Sequence, residues 1–130
     1  MPAVTLVEEA TKRSGVVWVT VDGDPRPHPV WHVWHEDAAY VVTGGLEQPL
    51  PEGTRAVVAV RSRDRRDGLL VRWVADVSPV APGSPLWDVV VPLLHARRLN
   101  APDGEEQPAR WARESTVLEL RPTGETLPLT

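Results

Sequence analysis

VVWVTVDG, residues 16–23, is a run of β-branched and aromatic residues that ends in Asp22-Gly23. Six such residues in succession predict a strand over Val16–Val21. Asp-Gly after an apolar run is the strongest short signal for a β-hairpin. We therefore expect a β-sheet that starts here, with an antiparallel partner strand directly downstream.

The partner strand is predicted over Arg26–His35. Pro27 and Pro29 lack the N–H group that a ladder needs, so the beginning of this strand should lie at a sheet edge or a bulge. Side chains alternate between the two faces of a strand. This alternation places His28, His32 and Trp34 on one face and Trp31, Val33 and His35 on the other.

The rest of the chain predicts four more strands and two helices. The strands are expected over Ala39–Thr43, Arg55–Arg63, Leu69–Val77 and Ser115–Arg121, the last one ended by Pro122. A short helix is expected over Pro2–Arg13, and a longer one begins at Ser84-Pro85, an N-cap followed by proline. The segment Ala101–Glu114 has room for a short helical turn.

Sequential antiparallel strands with a helix late in the chain indicate a mainly β (α+β) protein. We predict one domain over residues 1–130, with six antiparallel strands in a β-barrel or an α+β arrangement, a short N-terminal helix and one longer helix before the last strand. Six strands can close into a barrel, which removes the sheet edges.

Composition excludes several classes of protein. The chain has 130 residues, no cysteine and a net charge of −4. The missing cysteines exclude disulfides, iron–sulfur clusters and thiol catalysis, and the negative charge argues against nucleic-acid binding. No apolar run is long enough to span a membrane, and the N-terminus lacks a signal peptide. These features predict a cytoplasmic protein that binds neither nucleic acid nor membrane.

The histidines suggest a metal site only weakly. His28 and His32 share a face and, with His95, offer imidazoles of the kind that zinc, copper or iron bind. Their spacing matches no standard metal motif, so side chains that cap the barrel ends or line a polar interface are the better explanation, and we predict no metal site. No serine lies in a nucleophile-elbow pattern, and there is no phosphate-binding loop of the P-loop type.

The densest positive group is Arg61, Arg63, Arg65 and Arg66. Arg61 and Arg63 share one face of a predicted strand, roughly 7 Å apart. Two guanidinium groups at that spacing can hold a phosphate or a carboxylate. The alternative is a solvated strand end in which neighbouring aspartates balance the charge.

Two runs resemble a known family. The segments Gly15–Trp34 and Tyr40–Gly45, with the order of the later strands and the helix, are similar to the pyridoxamine 5′-phosphate oxidase-like, flavin-binding split-barrel proteins. The resemblance extends over roughly residues 3 to 123, and it lies in order and spacing rather than in one motif. It implies a six-stranded antiparallel split β-barrel that forms a homodimer with cofactor sites at the subunit interface. It also implies FMN, a deazaflavin coenzyme or sometimes haem as cofactor, and oxidoreductase activity on a small substrate.

The resemblance also implies which residues contact the cofactor. It points to Val30, Trp31 and His32 near the ring, Thr43 and Gly44 near the ribityl chain, and Arg61 and Arg63 near the phosphate. Gln48 is also a candidate for contacting the cofactor, because it lies after the third strand, where the family has its phosphate-holding segment. No catalytic residue is assigned.

The segment Glu47–Pro51 departs from the family pattern and supports an alternative function. The family commonly has a basic residue and a helix there, whereas this chain has an acidic residue that repels phosphate and two prolines that break a helix. Lys12, the only lysine, lies in the N-terminal helix. The alternative is a non-enzymatic binding or sensing protein whose cofactor pocket is lost or altered. A third hypothesis is haem binding through His28, His32 or His35.

Overall fold

A computed structural model describes residues 3–62, 68–98 and 104–129. Its helices are α1 (Ala3–Arg13), α2 (Pro85–Arg97) and α3 (Gln107–Glu114), with a 3-10 turn over Gly104–Glu106. Its strands are β1 (Val16–Val21), β2 (His28–Trp31), β3 (Val33–His35), β4 (Ala38–Thr43), β5 (Arg55–Arg61), β6 (Leu69–Val80) and β7 (Thr116–Thr126).

The strands form one antiparallel sheet in the order β2-β1-β5-β6-β7-β4-β3. The two outermost strands, β2 and β3, are consecutive in the chain and only His32 separates them. The sheet must therefore curl until its two edges meet, which gives the predicted split barrel. The described residues form seven strands rather than six, because the strand expected over Arg26–His35 is divided at His32.

The turn after β1 also differs from the expected two-residue hairpin. Residues 22–27 connect β1 to β2, and Gly23 adopts a positive φ of 95°. The backbone N–H of Arg26 donates to the Asp24 carboxylate at 3.0 Å, so Arg26 belongs to this turn and not to the strand. The edge position predicted from Pro27 and Pro29 is confirmed, because β2 pairs with β1 alone.

Two expectations for the C-terminal part were wrong. Pro122 does not end the last strand, because the ladder is irregular there: Ala75 pairs with Pro122, whereas Trp73 pairs with Thr126. The missing N–H of proline thus falls at a break in the ladder. A third helix, α3, replaces the single helical turn expected before the last strand.

Two apolar clusters hold the fold together. The first fills the barrel interior and includes Val30, with Trp34 packed against it. The second lies between the outer face of the sheet and helices α2 and α3, and Trp31 and Val33 pack against it. These contacts confirm the alternation predicted for residues 28–35. Within the described ranges, no helix is long and apolar enough to cross a membrane.

Candidate functional site

The side-chain amide of Gln48 joins the loop after β4 to the end of β2. Its Oε1 accepts from the backbone N–H of Trp31 at 2.9 Å, and its Nε2 donates to the carbonyl of Trp31 at 3.0 Å. One amide therefore satisfies both backbone groups of an edge-strand residue, as a paired strand would. Gln48 thereby fixes the backbone position of Trp31.

The turn at Thr43-Gly44 is held by the same residue. The Thr43 hydroxyl donates to the backbone carbonyl of Gln48 at 2.7 Å, and the N–H of Gly44 donates to it at 3.3 Å. Gly44 adopts a φ of 85°, where a side chain is disfavoured. The structure thus brings together four of the predicted site residues, namely Trp31, Thr43, Gly44 and Gln48.

A buried ion cluster lies beneath this turn. The Glu47 side chain is 1% exposed, and its two oxygens accept from Arg98 Nε at 3.0 Å and from Arg110 Nη2 at 3.2 Å. The backbone N–H of Glu47 also donates to the carbonyl oxygen of Gly44 at 3.0 Å. The negative charge that argued against an anionic ligand is therefore buried and offset by two guanidinium groups.

A cleft opens beside Trp31 at the C-terminal end of α2. It has a volume of about 390 Å³ and is lined by Gly15, Trp31, Arg97 and Arg98. The indole offers an aromatic surface, and the two arginines supply positive charge. A cleft of this size lies within the range of small-molecule sites. Its chemistry fits a planar ligand that carries a negative charge.

His32 lies next to this cleft but faces α1. It is 2% exposed, and its Nε2 lies 2.7 Å from the carbonyl oxygen of Thr11. A carbonyl can only accept, so Nε2 carries the hydrogen and Nδ1 is the acceptor of the neutral ring. Burial lowers the pKa of His32, and the positive charge of Arg97 lowers it further. The imidazole is therefore neutral near pH 7.

We predict that His32 makes stability depend on pH. The unfolded chain protonates this residue near pH 6.5, whereas the folded protein holds it neutral to lower pH. The unfolded state then binds more protons, so stability is lost as the pH falls below about 6.5, by up to about 1.4 kcal/mol per pH unit. Urea unfolding at pH 7, 6 and 5 measures this slope.

The matched variant is His32→Gln, whose amide can still donate to Thr11 and does not titrate. Its stability should fall less steeply over the same pH range, whatever its absolute stability at pH 7. Equal slopes for the two proteins would contradict the assignment of a neutral, buried imidazole.

The other histidines have separate surroundings. His28 lies 3.6 Å from Asp24, and His35 lies 3.8 Å from Glu36. His95 Nδ1 lies 2.9 Å from the side-chain oxygen of Gln107. In the part of the chain that the structure describes, no three potential ligands lie close enough together to hold a metal ion.

The remaining predicted residues lie elsewhere. The Val30 side chain belongs to the barrel core, so only its backbone could reach a ligand. Arg61 lies on the outer face of the sheet, in an open cavity of about 530 Å³ that Trp18 and Arg72 also line. Continuing the register of β1 with β5 places Arg61 level with Val16, which pairs with Trp31. Arg61 is thus about two strand spacings, roughly 10 Å, from Trp31.

Arg63 lies outside the described residues. The sequence interpretation also missed Arg97 and Arg98 as site residues. They lie at the C-terminal end of α2, where the sequence explains cations by the helix dipole alone. Only the packing of α2 against the sheet brings them to Trp31, and no sequence pattern signals that contact.

Comparison with solved structures identifies the class of fold. The heme storage protein HutZ of Vibrio cholerae aligns with a TM-score of 0.63 and 16% identity, over 98% of this chain and 94% of that protein. A structure described as an F420 reductase gives a TM-score of 0.56 and 18% identity, over 89% and 92%. A FAD-binding protein of Mesorhizobium loti gives a TM-score of 0.53 and 11% identity, over 95% and 89%.

The chain therefore has the split-barrel fold of these flavin-, deazaflavin- or haem-associated proteins, as the resemblance implied. At such low identity, the likeness establishes the fold alone. No protein-family model and no curated protein sequence matches the chain.

Proposed function

We propose that the protein binds FMN or a deazaflavin coenzyme at a homodimer interface and acts as an oxidoreductase of a small substrate. The observation that carries this proposal is the position of Trp31. Its indole borders a cleft with two arginines, and Gln48 fixes its backbone. A rigid aromatic surface next to cations suits a planar, anionic cofactor.

Different described residues would hold different parts of such a cofactor. Trp31 would contact the ring, and the backbone at Gly15 leaves space beside it. The Thr43 hydroxyl donates within the turn, so towards a ligand its oxygen is left as an acceptor. The Gly44 carbonyl already accepts from the backbone N–H of Glu47 and from the Ser115 hydroxyl, so Gly44 would contact a ligand only through its lack of a side chain. Arg61 would hold the phosphate, with a guanidinium group suited to paired hydrogen bonds.

A bound flavin or deazaflavin would supply hydride transfer. The chain itself would supply orientation and electrostatics. Arg98 brings positive charge to the cleft. The buried cluster of Glu47 with Arg98 and Arg110 keeps the turn in place and keeps the Glu47 carboxylate away from the ligand.

The homodimer is supported by an apolar patch on the outer sheet face. Val16 is 46% exposed, Trp18 36% and Leu70 43%. Trp18 pairs with Ala59, which pairs with Arg72, so the patch continues across three strands. Exposed aromatic and aliphatic side chains bordered by arginines are typical of protein interfaces. A second copy over this patch would also enclose the cavity at Arg61.

The cofactor is tested by titrating the purified protein with FMN, riboflavin, the deazaflavin coenzyme and haemin, followed by visible absorbance and tryptophan fluorescence. Saturable binding of FMN or the deazaflavin is expected. Arg61→Gln should weaken FMN binding about tenfold and leave riboflavin binding unchanged, because only FMN has the phosphate.

The matched control is Arg55→Gln, an exposed arginine at the other end of β5. It should bind FMN as the wild type does. No saturable binding of any flavin would overturn the proposal. Binding without turnover of any electron donor would support the non-enzymatic alternative, and a haemin Soret band that disappears in His28→Ala or His35→Ala would favour haem.

The dimer is tested separately by sedimentation. The expected species has twice the chain mass of 14.3 kDa. Trp18→Arg should give the monomer, whereas Val89→Arg, which changes an exposed residue on α2, should leave the dimer intact. A wild-type monomer at micromolar concentration would contradict the proposal.

A further inference from the structure

A third cavity, of about 420 Å³, is lined by residues of α1, β3 and α2 and shares Arg97 with the cleft beside Trp31. One part of its lining is basic, with Lys12 and Arg97. Another part is apolar, with Val33, Leu93 and Ala96. The rings of His32 and Trp34 complete it.

The two basic residues lack a negatively charged partner. Lys12 makes no hydrogen bond or ion pair to any residue that the structure describes, and Arg97 makes one long contact of 3.4 Å to the carbonyl of Gly15. None of the described residues that line the cavity carries a carboxylate. Two uncompensated cations at one concave surface attract an anion.

The two rings each leave one polar atom unsatisfied. Nδ1 of His32 and Nε1 of Trp34 are buried and have no hydrogen-bond partner among the described residues. Buried polar atoms are rarely left without a partner unless water or a ligand supplies one. Nδ1 of the neutral His32 can only accept, and Nε1 of Trp34 can only donate.

We propose that this cavity binds a small hydroxycarboxylate with an apolar body. Arg97 and Lys12 pair with the carboxylate, since a guanidinium group and a carboxylate match in a bidentate geometry. The hydroxyl group donates to Nδ1 of His32 and accepts from Nε1 of Trp34. The apolar body packs against Leu93 and its aliphatic neighbours.

Each component of the ligand is required for a separate reason. A neutral ligand would leave both cations uncompensated. A carboxylate without the hydroxyl would leave the two ring nitrogens unsatisfied, which costs affinity when they are desolvated. A ligand without the apolar body would not cover Val33, Leu93 and Ala96.

The test is isothermal titration of the purified protein with mandelate, phenylacetate and mandelamide. Mandelate has all three components, phenylacetate lacks the hydroxyl group, and mandelamide lacks the charge. Mandelate is expected to bind at millimolar concentration or better. Phenylacetate should bind at least about fivefold more weakly and mandelamide at least about tenfold more weakly.

Lys12→Gln is the informative variant, because Lys12 borders this cavity and not the cleft beside Trp31. It should weaken mandelate binding about tenfold and leave FMN binding unchanged. Arg13→Gln is the matched control, since Arg13 is the next residue, is exposed and is paired with Glu9. It should bind mandelate as the wild type does.

Three results would each overturn the proposal: no saturable mandelate binding, equal affinity for phenylacetate, or no effect of Lys12→Gln. Because mandelate binding is measured without a flavin, its outcome does not depend on the cofactor proposal. Lys12 is exposed, and a thermal melt of Lys12→Gln confirms that the variant is folded.

Discussion

Glu47→Gln should lower the free energy of unfolding by about 3 kcal/mol and the melting temperature by roughly 10 °C. The wild-type carboxylate is 1% exposed and accepts charge-assisted bonds from Arg98 and Arg110. The amide retains one acceptor oxygen and loses the charge. The guanidinium groups of Arg98 and Arg110 then lie close together in a partly buried region, without the negative charge that holds them in the wild type. Urea unfolding at neutral pH measures the loss.

A double-mutant cycle isolates the contribution of the pair. Glu47→Gln combined with Arg110→Gln should cost less than the sum of the two single changes, by about 1–3 kcal/mol. Glu52→Gln, an exposed position in the same loop, should stay within about 0.5 kcal/mol of the wild type. Strictly additive costs would contradict the ion cluster.

Trp73→Ala should lower the free energy of unfolding by about 3–5 kcal/mol, a large part of the stability of a domain this size. Trp73 is fully buried in the barrel. Its ring meets Trp34 edge to face, with centroids 6.4 Å apart, and its Nε1 donates to the hydroxyl of Thr11 at 3.1 Å. Truncation leaves a cavity that the rigid strands around it cannot fill. Urea unfolding gives the size of the loss, provided that the variant folds.

Trp73→Phe keeps the prediction testable if the alanine variant does not fold. Phenylalanine retains most of the volume and loses the hydrogen bond to Thr11, so it should cost about 1–2 kcal/mol. Thr11→Val removes the other half of the same bond and should cost a similar amount. A loss below about 1 kcal/mol for Trp73→Ala would contradict its role in the core.

Glu47 and Trp73 link the stability of the fold to the two proposed binding sites. Glu47 anchors the turn that carries Thr43, Gly44 and Gln48. Trp73 supports Trp34, whose ring lines the cavity proposed for a hydroxycarboxylate. Conservative variants such as Trp73→Phe should therefore weaken mandelate binding before they unfold the protein.

Most of the fold was predictable because local patterns carry it. The β-branched run of β1 predicted a strand at the right place. Ser84 caps α2 as expected, since its hydroxyl accepts from the backbone N–H of Trp87 at 3.2 Å. The errors lay where tertiary contacts override local rules. Proline should have ended β7, but its missing N–H falls at an irregular point of the ladder.

The candidate site was predictable only in part. Trp31, Thr43, Gly44 and Gln48 do come together, but the contact that joins them runs from one side-chain amide to a backbone 17 residues earlier. Single-residue patterns do not encode such a pairing. The Val30 side chain lies in the core, on the inward side of its strand, so the prediction that places Val30 near the ring concerns its backbone alone.

The sequence by itself determined the strands, the capped helix and the absence of thiol chemistry, because periodicity, propensity and composition are properties of neighbouring residues. Only the tertiary structure decided which charges meet. It buried Glu47 against Arg98 and Arg110 and brought Lys12 and Arg97 to one cavity. These pairs are separated by 51 to 85 residues, so their distances depend on how the sheet curls and how α2 packs, and no local pattern specifies either.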